Sequence, residues 1–209
     1  MIPKNFGLRE FFKDKLLKIN KFQVSKNYLL DINSGTLIDN SKNIIPYDAD
    51  GKILAFEDRQ KTWFFDVADF LQENKYEDSG FIVLMIGVAY LESTQQFING
   101  KSSKNNSSKF IEEALERIFP EMTKEEKDLF IDGVRCGMFH DGMLKKGIFA
   151  DFSQKSLFHI HQDMLIINPY EFLTWTKRDF VRYIKLLKNK NNINERQKFE
   201  IIWDNQKGI

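Results

Sequence analysis

Cysteine, long apolar runs and an excess of charge of either sign are what this chain has least of, and each shortage closes off a class of protein. Its one cysteine, Cys136, excludes an internal disulfide framework and fits a reducing compartment. With 31 basic and 30 acidic side chains the formal net charge is +1, so no global field draws the chain to nucleic acid or an anionic membrane. Any such partner needs a local patch. The longest apolar run, Phe81 to Leu91, falls far short of the roughly 20 residues that cross a bilayer. The start, MIPKNFGLREFFKDKLLKI, carries Arg9, Glu10, Lys13 and Asp14 among its apolar residues, unlike a signal peptide. These features read as a cytoplasmic, soluble chain with no membrane partner. No P-loop, G-x-G-x-x-G, H-E-x-x-H or G-x-S-x-G motif is present, which argues against most nucleotide-hydrolysing, Rossmann and hydrolase classes.

Aromatic area, by contrast, is plentiful. Twenty Phe within a 42% hydrophobic composition are enough to fill one good-sized core. The pattern predicts a mainly α, α+β fold: an antiparallel helical bundle with a small N-terminal antiparallel β meander and a short β-hairpin near 156–167. Residues 1–57 form the β-containing segment and 58–209 the bundle, the two making one compact unit. A helix is expected around residues 7 to 20. Turns at Asn33-Ser34-Gly35 and Asp50-Gly51 then separate the strands of the meander, the second lying between IIPYDA and KILAFE.

From there the period becomes helical. Trp63, Val67, Phe70 and Leu71 place an apolar stripe on a helix from about Arg59 to Asn74. Phe81 to Ile98 follows as the central, most buried helix, because FIVLMIGVAYL is apolar all round. A third helix starts near Ser107 or Ser108, buries Phe110, Ala114, Leu115 and Ile118, and ends at Phe119-Pro120. A fourth begins at the capping box Thr123-x-x-Glu126 and carries Phe130, Val134 and Met138 as its apolar line. SLFHIHQDMLIIN reads as a hairpin turning at Gln162-Asp163. Asn168-Pro169 then caps a helix whose inner face is Leu173, Thr176, Phe180, Ile184 and Leu187. After NKNN, a short helix with Phe199, Ile202 and Trp203 closes the chain.

The chemistry concentrates in RCGMFHDGM, Arg135 to Met143. Five residues on an ideal α-helix turn through about 500°, which leaves the Arg135 and His140 side chains roughly 140° apart. One straight α-helix cannot make them a single site. Either the helix unwinds after Gly137, or two protomers pair and share one groove. Together the pair suits cleavage of an RNA phosphodiester. A histidine moves a proton at the 2′-hydroxyl or the leaving oxygen, and an arginine holds charge developing on the phosphorane oxygens without a metal. A structural role accounts for the same residues: Arg135 pairs with Asp132, Asp128 or Glu92, His140 stabilises the helix end, and Gly142 terminates it.

Arg135-Cys136-Gly137-Met138-Phe139-His140, an R-x4-H motif late in a helical bundle, resembles the R-x4-6-H signature of the HEPN superfamily. YLESTQQFINGKS, FIEEALERIFPE and VRCGMFHDGM extend the likeness to a group of uncharacterised bacterial HEPN-like proteins, over about residues 80 to 190. Many members of the superfamily are metal-independent endoribonucleases, found among toxins, abortive-infection proteins and CRISPR effectors. The resemblance implies a homodimer in which two copies of the motif line one RNA-binding cleft, with a possible cognate antitoxin as a further partner. Arg135 would stabilise the phosphate and His140 act as general acid or base, with no metal or other cofactor. The family often has a polar residue directly after the arginine, a place that Cys136 occupies here.

Other candidates surround this motif. Glu92 lies on the apolar central helix, where a carboxylate needs a cation, and Arg135 is the expected partner. Asp141 supports the motif from the next position. Lys101, Lys104 and Lys109, in and after the loop NGKSSKNNSS, could meet an RNA backbone, although no aromatics interleave them and a solvated loop explains them equally. His159 and His161 fall on one face of a strand and with His140 or Asp141 would give zinc three ligands. The simpler reading is a half-exposed strand with Phe158 and Ile160 turned inward. Cys136 reads as a small core residue.

Overall fold

The computed structural model describes residues 21–74, 79–145 and 147–206. The helix expected around residues 7 to 20 lies outside that set. The protein is mainly α with two small sheets, the α+β arrangement the pattern predicts. It divides into two compact units, Met1–Thr62 and Trp63–Ile209.

In the first unit, β1 (Lys21–Gln23), β2 (Tyr28–Asp31), β3 (Thr36–Asp39) and β4 (Ile44–Pro46) form a sequentially ordered antiparallel meander. The Asn33-Ser34-Gly35 turn joins β2 to β3 as expected. Asp31 Oδ1 shapes it by accepting from the amides of Asn33 at 3.0 Å and Ser34 at 3.3 Å. The Asp50-Gly51 turn is corrected: both residues begin the helix α1 (Ala49–Gln60), because Asp48 caps it by accepting from Gly51 N–H at 3.0 Å. KILAFE is therefore helical, with Ile53, Ala55 and Phe56 buried. A short apolar run fits strand and helix alike, and here the cap decides. Asp58 of α1 holds the sheet by accepting from Asn27 N and Nδ2 at 3.0 and 2.7 Å.

The second unit holds α2 (Asp66–Glu73), α3 (Ser79–Asn99), α4 (Ser107–Ile118), α5 (Lys124–Leu129), a π-helix (Phe130–Asp141), α6 (Pro169–Lys188) and α7 (Ile193–Gln206). α3 is the centre, packed by α2, α4, α6 and α7. At 21 residues, with a mean hydropathy of 1.4 over 18 of them, it is long and apolar enough by composition to cross a membrane, as the shorter run Phe81–Leu91 is not. Half of that window is buried inside the protein. Around α3 the aromatics form clusters: Phe65, Tyr90 and Phe180 meet on one side, Phe119, Phe130, Phe158 and Phe172 on another, and Phe97 stacks on Phe199. Each fully buried ring contributes about 1.5–3 kcal/mol of burial free energy.

The expected caps are present. Thr123 and Glu126 exchange both bonds of the capping box, and Asn168 Oδ1 accepts from the amides of Tyr170 and Glu171 ahead of α6. The hairpin β6 (Phe158–His161) and β7 (Met164–Ile167) turns through Gln162 and Asp163, both left-handed at φ 49° and 63°, as a two-residue type I′ turn requires. A third strand that the pattern did not predict, β5 (Ile148–Ala150), pairs parallel to β7.

The apolar stripe expected on the Arg59–Asn74 segment is rotated. Trp63, Val67 and Phe70 are exposed, whereas Phe65 and Ala68 are buried. The stripe holds together but faces outward, so an apolar face at helical spacing did not by itself mark the buried side.

Candidate functional site

Backbone winding builds the motif. From Phe130 to Asp141 the backbone is π-helical, so hydrogen bonds link residues five apart and such residues stack one turn above the other. Arg135 and His140 consequently share a face within a single chain, Arg135 Nη1 lying 3.1 Å from His140 Nε2. Neither expected route is used: the helix does not unwind after Gly137, and no second protomer is needed to bring the pair together. The segment ends where Gly142, left-handed at φ 71°, donates to the carbonyl of Gly137. Met143 N donates to that same carbonyl at 3.2 Å. The returning chain lies so close that a Cβ on Gly137 would stand 2.5 Å from Met143 O. Only glycine lets residues 143–145 fold back here.

Arg135 is mostly buried, and each guanidinium nitrogen differs in what it meets. Nη1 faces His140 and lies 3.8 Å from Cys136 Sγ, Nη2 is 4.0 Å from Glu92 Oε2, and Nε is buried without a hydrogen-bond partner. The expected Glu92 pairing is present, though long. Glu92 also accepts from Ser103 Oγ at 2.7 Å, and Ser103 N donates to Gln96 Oε1 at 3.1 Å. The loop after α3 is therefore anchored rather than wholly solvated: Ser103 is buried, while Lys101, Lys104 and Lys109 stay exposed. One chain of contacts runs from this basic loop through Ser103 and Glu92 to Arg135 and His140.

An arginine only donates, so His140 Nε2 accepts in this arrangement and the neutral ring carries its proton on Nδ1. The ring is exposed at the mouth of the site, with exposed Phe139 and Met143 nearby in sequence. Asp141, also exposed, has no hydrogen bond to either motif side chain. Asp132 is taken by Lys145 at 2.8 Å, and that bond raises the Lys145 pKa. Cys136 is partly buried rather than a core residue. His159 and His161 are exposed with their rings 6.4 Å apart, and among the described residues no third His, Cys, Asp or Glu completes a metal-binding group with them.

A second polar cluster escapes the sequence pattern. Asp179 of α6, buried, accepts from Tyr90 Oη at 2.7 Å through one oxygen and from Arg117 and Arg182 through the other. Arg117 Nε also donates to Gln95 Oε1 at 3.2 Å. Burial first, then the Asp179 carboxylate, pushes the Tyr90 phenol well above its ordinary range, and burial raises Tyr183 likewise. The available signal was the position of Asp179, three residues after Thr176 on the inner face of its helix and among the charges of KRDFVR. Compared with protein-family models, with curated proteins and with solved structures, the chain has no match.

Proposed function

We propose that the protein is a metal-independent endoribonuclease of the HEPN type, working as a cytoplasmic homodimer in a toxin or antiviral-defence setting. The observation that carries the reading is the 3.1 Å approach of Arg135 Nη1 to His140 Nε2 on the π-helix. A phosphodiester entering the site offers Arg135 a better acceptor than an imidazole nitrogen, so the guanidinium turns to the non-bridging oxygens. The Nε2 lone pair is then free to take the 2′-hydroxyl proton. The 2′-oxygen attacks phosphorus, the bond to the 5′-oxygen breaks, and the protonated His140 of the second copy supplies the leaving group's proton. The products are a 2′,3′-cyclic phosphate and a 5′-hydroxyl.

Glu92 orients the arginine, and Lys101, Lys104 and Lys109 give the neutral chain the local basic surface that RNA needs. Exposed Phe139 and Met143 offer apolar area for the second copy to cover. The test is RNA incubated in EDTA with wild type and with His140→Ala, the ends being read by mass. Cyclic-phosphate ends from wild type alone are the expected result, and equal background cleavage by both removes the mechanism.

One observation favours a second reading, a non-catalytic helical module that binds RNA, a nucleotide or a protein: Arg135 is already held between Glu92, His140 and the Cys136 thiol. That reading predicts salt-sensitive RNA binding without product.

A further inference from the structure

A cavity of about 420 Å³ opens between α3, α4, α6 and α7, on the side of α3 that carries the Asp179 cluster. Its size is that of a small-molecule site rather than a packing defect. Ile98, Leu186 and the Tyr183 ring make its apolar wall, and Arg117, Arg182 and Lys198 bring cations to it. Two carboxylates, Asp179 and Glu195, oppose those three cations and leave the lining with one positive charge in excess. Asp179 has little capacity to spare, since its two oxygens already accept from Tyr90, Arg117 and Arg182. The cations are not saturated in the same way. Arg117 Nη2 is buried without a hydrogen-bond partner, and Lys198 has no ion pair among the described residues. A buried guanidinium nitrogen without an acceptor costs stability unless something supplies one.

We infer that this cavity binds a small organic anion: a carboxylate or phosphate head seated against Arg117 and Lys198, with an apolar body along Ile98, Tyr183 and Leu186. Arg117 Nη2 is closed off as the cavity stands, so the head reaches it and supplies the acceptor it lacks only as the site opens to admit the ligand. Arg182 bonds the same Asp179 oxygen as Arg117, and its side chain is 64% exposed, so it is the neighbour free to swing aside and admit the ligand. The site lies apart from Arg135 and His140 and does not depend on the ribonuclease reading.

The test is calorimetric titration of the full chain with 1-naphthoate, 1-naphthyl phosphate and, as the neutral analogue, 1-naphthamide. Saturable binding of either anion, about 10-fold or more tighter than the amide, is expected, and the tighter of the two names the head group. Lys198→Gln is expected to weaken that anion about 10-fold, and Leu186→Trp, which fills the cavity, to abolish binding while circular dichroism and thermal unfolding stay those of the wild type. Absence of saturable anion binding overturns the inference. So does equal affinity for the amide, or an affinity unchanged in a folded Leu186→Trp chain.

Discussion

Two arginines flank the central helix, and they are held in opposite ways. Arg117 is fixed: one nitrogen donates to Gln95, another pairs with a carboxylate that is only 3% exposed, and Tyr90 and Arg182 satisfy that carboxylate's remaining capacity. Arg135 is held loosely. Its carboxylate partner stands 4.0 Å away and is itself shared with Ser103, and its closest neighbour is a neutral imidazole at 3.1 Å. A carboxylate as buried as Asp179 tolerates no exchange of partners, because any break leaves a charge in a low-dielectric interior. An arginine whose carboxylate partner stands 4.0 Å away and whose nearest neighbour is an imidazole exchanges more readily. The contrast separates an arginine that holds the bundle together from one whose partners can be exchanged, as the proposed phosphate contact requires.

The comparison can be broken from either side. The largest effect is expected at the loose arginine's partner. His140→Ala should lower RNA cleavage about 100- to 10,000-fold and, being exposed, shift the urea midpoint by no more than about 0.5 kcal/mol in stability terms. A variant that unfolds instead makes the pair structural. At the fixed arginine the pattern should invert. Arg117→Met leaves the buried Asp179 charge to Arg182 and Tyr90 alone and is expected to cost about 3 kcal/mol in urea unfolding, with cleavage per folded molecule unchanged. Ser103→Ala lies between the two, since it removes one bond to Glu92 and loosens the basic loop. A loss of about 1 kcal/mol should accompany weaker RNA binding, which a loop independent of the site would not show.

The smallest effect at neutral pH belongs to the phenols beside the fixed arginine. Tyr90 and Tyr183 are raised by burial, so above the ordinary tyrosine range the unfolded chain releases protons that the folded chain keeps. Their contribution to stability is complete below that range and falls as pH climbs through it. Absorbance titration near 295 nm should show these two of the six tyrosines failing to ionise until the chain unfolds.

How much of this was legible depended on the helical period assumed. Where the helices are α, the apolar stripes of α4 and α6, the capping box at Thr123 and the cap at Asn168 could be read directly, and the hairpin turn followed from its two-residue loop. Asp50-Gly51 misled because the capping Asp48 outweighs a turn-like dipeptide. The Trp63, Val67 and Phe70 stripe misled because it faces outward, whereas the Arg135–His140 pair misled because it lies in a π-wound segment, where a 3.6-residue period assigns side chains to the wrong faces. Glu92 was found because a carboxylate in an apolar helix demands a cation. Asp179 was missed because abundant neighbouring charge hid the same demand.

The π-helix also fixes how the motif tolerates changes in length. A spacing of five on this winding does what a spacing of four does on an α-helix, so deleting one residue between Arg135 and His140 need not separate them if the segment rewinds as α. Deletion of Phe139 paired with such rewinding would keep the guanidinium and the imidazole adjacent, while the same deletion in a helix locked by the chain folded over Gly137 would part them. The register between arginine and histidine thus reports the local winding of the backbone, and chain length and helix type act on it as interchangeable variables.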